Sequence, residues 1–135
     1  MIRAATESNL PWLKEHDRHI GEDELRESVR RGRILLAEQD GQIIGWLRWS
    51  LFWDEIPFMN MLYLLEGFRR QGLGRALVSR WVEDMRRQGH RRVMTSSQAN
   101  EEGQHFYRRL GYQDAGALLL PGEPLEIIFL KELAP

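Results

Sequence analysis

Two glycines and two arginines lie together in the segment Arg69-Arg70-Gln71-Gly72-Leu73-Gly74. The apolar run from Phe58 to Leu65 before it predicts a buried strand, and the apolar spacing after it predicts a helix from Leu73 to Gln88. A helix N-terminus exposes unpaired backbone N–H groups and carries a partial positive charge. The segment therefore predicts a phosphate site at a strand-to-helix junction, with the arginines adding charge at its rim.

Two nucleotide-binding patterns fail on spacing in this segment. A P-loop requires Lys and then Ser or Thr after its last glycine, but Leu73 and Gly74 follow Gly72. A dinucleotide-binding fingerprint that begins at Gly72 requires a glycine where Leu77 stands. The pattern that remains is R-x-x-G-x-G, beginning at Arg69. A glycine-rich turn that binds nothing is the structural alternative.

A second segment, Asn100 to Tyr112, predicts a helix over Glu101 to Leu110 that ends at Gly111. With the two segments in this order, the chain resembles the GCN5-related N-acetyltransferase (GNAT) superfamily. That family has [RQ]-x-x-G-x-[GA] between a strand and a helix, and later an Asn followed by a helix that carries Phe-Tyr and ends in Leu-Gly-Tyr or Leu-Gly-Phe. Gly103 stands where the family usually has alanine, a departure expected to loosen the start of the helix.

The resemblance implies that acetyl-CoA is the co-substrate, with its pyrophosphate on the glycine loop. It also implies that the strand residues Met61 to Leu64 pair with the pantetheine arm and polarise the thioester carbonyl through a backbone N–H. Asn100 would contact the cofactor; its structural alternative is an N-cap for the next helix. The expected cofactor-binding residues are Leu62, Tyr63, Leu64, Arg69, Arg70, Gln71, Gly72, Leu73, Gly74, Arg75, Asn100, Phe106 and Tyr107.

Tyr107 is the expected catalytic acid. When an amine attacks a thioester, a thiolate leaves, and a hydroxyl placed beside the sulfur assists by protonating it. General acid catalysis of this kind contributes about 10²–10⁴-fold. The alternative for Tyr107 is a core aromatic residue with a hydrogen-bonded hydroxyl.

The attacking amine must be neutral, whereas an alkylammonium has a pKa of about 10.4. A base or a water relay is therefore expected. Asp54 and Glu55 are the favoured candidates, because Trp49 and Trp53 beside them are suited to wall a pocket that attracts a cation. Glu66, at the end of the central strand, is a third candidate. A solvated surface carboxylate is the alternative for each of them.

The composition narrows the chemistry further. The chain has no cysteine, so a thiolate nucleophile, a disulfide framework and a Cys-ligated zinc site are excluded. Transfer is therefore expected to be direct. His16 and His19 have no third ligand nearby in the sequence, and no metal is expected.

Charge and the N-terminal sequence indicate where the protein works. The 19 Lys and Arg against 20 Asp and Glu give a net charge of −1, so no nucleic-acid or membrane partner is expected. The N-terminus lacks the pattern of a signal peptide, and we expect a cytoplasmic protein.

The remaining pattern predicts a single α/β (α+β) domain over residues 1–135, with about four helices on a mixed, mostly antiparallel twisted sheet of six or seven strands. The helices before the sheet are expected between Asn9 and Arg31, broken near Gly21. Strands are expected at Met1 to Ala5, Ile34 to Glu38, Gln42 to Trp49, Phe58 to Leu65, Arg92 to Ser97, Ala115 to Leu120 and Leu125 to Leu130.

The function expected from these residues is transfer of an acetyl group from acetyl-CoA to a primary amine of an acceptor, small molecule or protein, that the sequence does not identify. A homodimer is possible. The alternative is a non-catalytic acyl-CoA-binding or sensing module on the same fold, which would keep the glycine loop but have no use for Tyr107.

Overall fold

The computed structural model describes residues 1–134, which form seven strands and four helices. In chain order these are β1 (Ile2–Ala4), α1 (Leu10–His16), α2 (Glu22–Arg30), β2 (Ile34–Gln39), β3 (Gln42–Phe52), β4 (Ile56–Leu64), α3 (Leu73–Arg87), β5 (Arg92–Gln98), α4 (Gly103–Arg109), β6 (Gln113–Leu118) and β7 (Glu126–Glu132). A 3₁₀ turn at Glu7–Asn9 precedes α1.

The strands form one sheet in the order β1-β2-β3-β4-β5-β7-β6. The pair β4–β5 is parallel, whereas β1–β2, β2–β3, β5–β7 and β6–β7 are antiparallel. The predicted fold class, an α/β fold with a mixed and mostly antiparallel sheet and four helices, is confirmed.

Packing divides the described chain into two compact units, which are taken in turn. The first contains residues 1–50 and 61–81. Its core joins apolar residues of α1 and α2 to β2 and β3, because Leu10 and Leu13 lie on one face of α1, and Leu25 and Val29 on one face of α2. The hairpin β2–β3 turns at Asp40-Gly41, where both residues have positive φ (52° and 77°), as the sequence predicts.

A charged network lies inside this unit. The carboxylate of Asp17, at the end of α1, accepts hydrogen bonds from Arg48 Nε (2.8 Å) and from Trp46 Nε1 (3.1 Å). The Asp17 side chain is fully buried and that of Arg48 nearly so. Each charge in such a pair depends on the other, since a buried charge without a partner is costly.

The second unit contains residues 51–60 and 82–134. Its centre is β5, whose Thr95 pairs with Met59 of β4 on one side and with Phe129 of β7 on the other. Strand β6 ends at Leu118, earlier than predicted, and all six of its residues are exposed. The leucines that suggested a longer strand are exposed as well, Leu119 to 84%.

Candidate active site

The glycine loop lies in the first unit between the end of β4 and the start of α3. The first hydrogen bond of α3 runs from Ala76 N to Gly72 O (3.0 Å), so the N–H groups of Leu73, Gly74 and Arg75 belong to the open first turn. Arg70 and Gly72 have positive φ (63° and 80°) on either side of Gln71. When left-handed and right-handed residues alternate along the backbone, successive N–H groups point into a concave site that can bind an anion.

Side chains of the loop fold back onto its own backbone. Arg69 Nε donates to Leu64 O (3.0 Å), and its guanidinium lies 5.1 Å from the centre of the Tyr63 ring. Gln71 Nε2 donates to Gly67 O (3.2 Å). The structure thus places Tyr63, Leu64 and Arg69, three of the expected cofactor-binding residues, next to one another. Glu66 lies exposed in the turn after β4.

Gly45 of β3 allows the end of β4 to approach closely. A Cβ atom at Gly45 would lie 2.5 Å from Leu64 Cδ2 and 2.8 Å from Tyr63 O. Since the second of these atoms is backbone, any other residue at this position would displace the strand that the resemblance assigns to pantetheine. The sequence does not reveal this role of Gly45, because the role depends on the contact with β4.

Tyr107 lies in the second unit, in the last turn of α4. The helix ends in a Schellman motif: Gly111 has a φ of 92° and its N–H donates to Arg108 O (3.1 Å), while Tyr112 N donates to Tyr107 O (3.0 Å). The motif turns Tyr112 back against Tyr107, with ring centres 5.6 Å apart, and the Phe129 ring lies 6.0 Å from Tyr107. The Leu-Gly-Tyr ending therefore fixes the ring of Tyr107.

Burial raises the pKa of Tyr107 to about 12, and the hydroxyl of Thr95 acts in the opposite direction. Nearby Glu101 raises it slightly. The phenol is therefore protonated at neutral pH and can act as a donor. Burial also raises the pKa of Tyr112, whose hydroxyl has no hydrogen-bond partner within residues 1–134.

Asn100 is exposed in the turn before α4. The N-cap of α4 is Glu102, so Asn100 does not occupy the capping position that was its structural alternative. Gln104, which the sequence did not single out, fixes this turn, since its Nε2 donates to Ala99 O (2.6 Å) and Glu101 O (3.0 Å).

Gly103 packs beneath Tyr107 at the start of α4. A Cβ there would lie 3.0 Å from Ser97 Oγ and 3.8 Å from Tyr107 Cε2. The glycine therefore fits a narrow space between β5 and the catalytic candidate. Phe106 is half-buried, with its ring centre 5.3 Å from that of Tyr107.

Asp54 and Glu55 lie in the turn between β3 and β4, in which Trp53 and Asp54 both have positive φ (56° and 59°). Glu55 faces a cavity of about 470 Å³ lined by Trp53, Glu55, Ile56, Pro57, Gly89, His90, Arg91 and Arg92. This lining has two arginines and one carboxylate, so its charge does not favour the binding of a cationic amine. Trp49 is buried against Trp81, with ring centres 6.4 Å apart, and does not line this cavity.

The position of Glu55 in the turn before β4 separates it from Tyr107. Glu55 precedes Met59 by four residues, or about 13 Å of extended strand. Met59 is the β4 residue at the level of Thr95, whose β7 partner Phe129 has its ring centre 6.0 Å from that of Tyr107. The structure therefore does not bring Asp54 or Glu55 together with Tyr107.

Within residues 1–134, no three His, Asp or Glu side chains are grouped as metal ligands would be. In the same range, no helix is long and apolar enough to cross a membrane.

The sheet topology, the open first turn of α3 and the buried tyrosine of α4 match the arrangement expected of an acyltransferase. The model of the Acetyltransferase (GNAT) family matches residues 2–112 of the chain. The chain belongs to this family, and it is an acetyltransferase that uses acetyl-CoA. No match was found among curated proteins.

Solved structures share the fold over nearly the whole chain. Ard1 from Thermoplasma volcanium is 15% identical with a TM-score of 0.85, and the match covers 100% of this chain and 98% of that one. The ribosomal-protein-S18-alanine N-acetyltransferase from Escherichia coli is 18% identical with a TM-score of 0.82, covering 100% and 94%. A GNAT family acetyltransferase from Elizabethkingia anophelis with acetyl-CoA bound is 17% identical with a TM-score of 0.77, covering 98% and 97%.

Proposed function

We propose that this chain transfers the acetyl group of acetyl-CoA directly to a primary amine, without a covalent enzyme intermediate. The observation that carries the proposal is the buried phenol of Tyr107. Its ring is held by the Schellman turn, and its O–H is protonated at neutral pH, as burial raises its pKa still further above 7, to about 12. An acyl-CoA-binding or sensing module would have no use for such a donor.

The proposed reaction is a single exchange at the thioester carbon. The neutral amine nitrogen forms a bond to this carbon, and the carbon–sulfur bond breaks. Tyr107 gives its phenolic proton to the departing thiolate, and the nitrogen loses its extra proton to water. The phenolate then regains a proton from solvent, so the enzyme ends in its starting state.

The glycine loop is the proposed seat of the pyrophosphate. The N–H groups of Leu73, Gly74 and Arg75 and the positive φ of Arg70 and Gly72 suit an anion. The guanidinium groups of Arg69 and Arg70 add positive charge beside this turn. That of Arg69 is already oriented by its hydrogen bond to Leu64 O. The glycine loop is therefore chemically suited to bind acetyl-CoA, the acetyl donor, by its pyrophosphate.

We infer that water carries the proton from the amine. Asp54 and Glu55 precede Met59, the β4 residue level with Thr95, by five and four residues, or at least about 13 Å of extended chain. This is too far for direct transfer from an amine that reacts beside Tyr107. Glu66 is the remaining candidate carboxylate on the loop side, since it lies two residues after the end of β4. A relay of water ending in bulk solvent meets the same need.

A panel of acceptors tests the proposal. The amines are spermidine, glucosamine, lysine and a peptide that begins with alanine, the last because the E. coli structure is named for an alanine acceptor. Release of the CoA thiol is followed with each amine and with its N-acetylated form as control. We expect at least one free amine, and not its acetylated form, to raise the rate above hydrolysis.

The kinetic mechanism and the acetylation state of the protein complete this test. Direct transfer predicts intersecting double-reciprocal plots and no acetylated protein by mass spectrometry after acetyl-CoA alone, whereas ping-pong kinetics would contradict it. Binding of acetyl-CoA without acceleration by any free amine would favour the sensing module.

A further inference from the structure

The cavity at the start of β4 has no part in the proposed reaction. Its volume of about 470 Å³ falls within the range of about 300–1,000 Å³ that is typical of small-molecule sites. All of its lining residues lie in the second unit, and none belongs to either sequence motif. We call it the Trp53 cavity, after the one aromatic ring besides His90 in its lining.

Trp53 occupies a turn position that suits other residues better. The turn is closed by a hydrogen bond from Glu55 N to Phe52 O (3.1 Å), and both of its central residues, Trp53 and Asp54, have positive φ. Such a turn favours asparagine or glycine, and its backbone conformation is an outlier for a bulky residue. Trp53 is also 77% exposed, so burial in the core does not account for it. The fold therefore gives no reason for an indole at this position.

Two arginines give the Trp53 cavity its positive charge. Arg92 is paired with Glu132 (3.1 Å), whereas Arg91 is exposed and has no ion-pair partner among residues 1–134. Glu55 is the one carboxylate of the lining. The Arg91 guanidinium is therefore available to an anion, and its planar shape suits two parallel hydrogen bonds to a carboxylate or phosphate group.

The nearby end of α3 does little to oppose an anion. Carbonyl groups at a helix C-terminus have a partial negative charge. Here Gly89 N donates to Arg86 O (3.0 Å), and His90 N donates to Met85 O (3.0 Å), so two of these carbonyl groups are already engaged. The half-buried imidazole of His90 also offers a ring N–H to the cavity.

We propose that the Trp53 cavity binds a small aromatic anion, a planar ring that has a carboxylate or phosphate group. The ring stacks on the indole of Trp53 and packs on the apolar side chains of Ile56 and Pro57. The anionic group binds the guanidinium of Arg91. This inference goes beyond the proposed function, since it depends on neither Tyr107 nor the glycine loop.

Four probe compounds separate the contribution of the ring from that of the charge. The full chain is saturated with coenzyme A, and binding is followed in ¹⁵N-labelled protein by the indole N–H signal of Trp53 and the amide signal of Gly89. We expect 2-naphthoate or 2-naphthyl phosphate to shift both signals saturably, and the tighter of the two identifies the anionic group. The alcohol 2-naphthalenemethanol lacks the charge and cyclohexanecarboxylate lacks the planar ring, so each should bind at least about fivefold more weakly.

Two variants and one control test the lining residues. Arg91→Met removes the charge and should weaken binding of the tighter probe by about tenfold or more, the range of one hydrogen bond between charged groups. Trp53→Asn should remove the preference for a planar ring, followed by the Gly89 signal, and should unfold at no lower temperature than the wild type, because asparagine suits the turn. Arg87→Met removes the same charge at the end of α3, outside the cavity, and should leave the affinity unchanged.

Several results would overturn the inference. If neither naphthyl anion shifts the Trp53 signal, the cavity is not a site for this class of ligand. If the neutral alcohol binds as tightly as the anions, or if Arg87→Met weakens binding as much as Arg91→Met, the charge of Arg91 does not select the ligand. A lower melting temperature in Trp53→Asn would show that the fold itself requires the indole. None of these measurements needs turnover, so they stand apart from the test of acetyl transfer.

Discussion

The backbone N–H of Tyr112 donates to the carbonyl oxygen of Tyr107 over 3.0 Å, and the two rings meet edge to face with centres 5.6 Å apart. One turn of backbone thus both ends α4 and covers the ring of the catalytic candidate. The left-handed conformation of Gly111 makes this possible.

The two tyrosines should weaken the fold at high pH. Burial raises the pKa of Tyr107 to about 12 and that of Tyr112 as well, so the folded state favours the protonated phenols. Their contribution to stability is fully present below a pH of about 10, the ordinary tyrosine pKa, and is lost as pH rises from there towards the folded pKa values. Each phenol alone can account for a loss of up to about 1.4 kcal/mol per pH unit.

Urea unfolding at pH 8, 10 and 11 measures this effect. Tyr107→Phe and Tyr112→Phe should each show a shallower loss of stability above a pH of about 10 than the wild type. Equal slopes in all three proteins would show that neither buried phenol governs the alkaline transition.

Gly72→Ala should weaken acetyl-CoA binding. A Cβ at Gly72 would meet no protein atom within 4 Å, so the cost inside the protein comes from its positive φ, about 1–2 kcal/mol. In the proposed site the Cβ would also hold the pyrophosphate away from the N–H groups. We expect a loss of about tenfold or more in affinity, measured by calorimetry.

Gly67→Ala is the matched control. Gly67 also has positive φ and open space around its Cβ position, but it lies in the turn after β4 and not at the start of α3. It should lower thermal stability by a similar amount and keep the affinity for acetyl-CoA. Equal loss of affinity in both variants would remove the argument for a pyrophosphate seat at the start of α3.

Arg48→Met should destabilise the first unit strongly. It leaves the carboxylate of Asp17 buried with one remaining side-chain donor, Trp46, and breaking a buried pair in this way costs about 3–5 kcal/mol. Arg26→Met removes an exposed pair with Glu22 and should cost far less, because solvent screens exposed charges. Chemical denaturation compares them, and a similar small cost in both would contradict the account of this network.

The three carboxylates suggested by the sequence can be separated by amide substitution. Asp54→Asn and Glu55→Gln should keep kcat within about threefold of the wild type, since both lie in the turn before β4, too far from Tyr107 for direct proton transfer. Glu66→Gln tests the remaining candidate. If the pH profile of kcat/KM loses its acidic limb in Glu55→Gln alone, the water relay is wrong and the turn before β4 contains the base.

Much of the fold could be predicted because local signals agree with the tertiary structure. Asp40-Gly41 encodes a tight hairpin by its backbone preferences alone. The apolar spacing of α3 and the ending of α4 at Gly111 are also local. The exposed leucines from Leu118 to Leu120 misled the prediction of β6, because hydrophobicity does not report which side of an edge strand is covered.

The parts of the site that could not be predicted depend on contacts between distant segments. Thr95 meets Met59 across 36 residues of sequence, and nothing in the pattern of β5 marks its hydroxyl. Gly45 is explained only by the approach of Tyr63. The pocket expected at Asp54 and Glu55 rested on composition, which gave no information on the arginines that line it.

Tyr107→Phe, compared with Tyr112→Phe, tests the central claim most directly. Both variants keep a ring at the same packed position, and only the first removes the proposed proton donor. With acetyl-CoA and an active amine from the panel, Tyr107→Phe should lower kcat by about 10²–10⁴-fold with little change in the KM for acetyl-CoA. Tyr112→Phe should retain the wild-type kcat. A folded Tyr107→Phe protein with wild-type kcat would contradict the account.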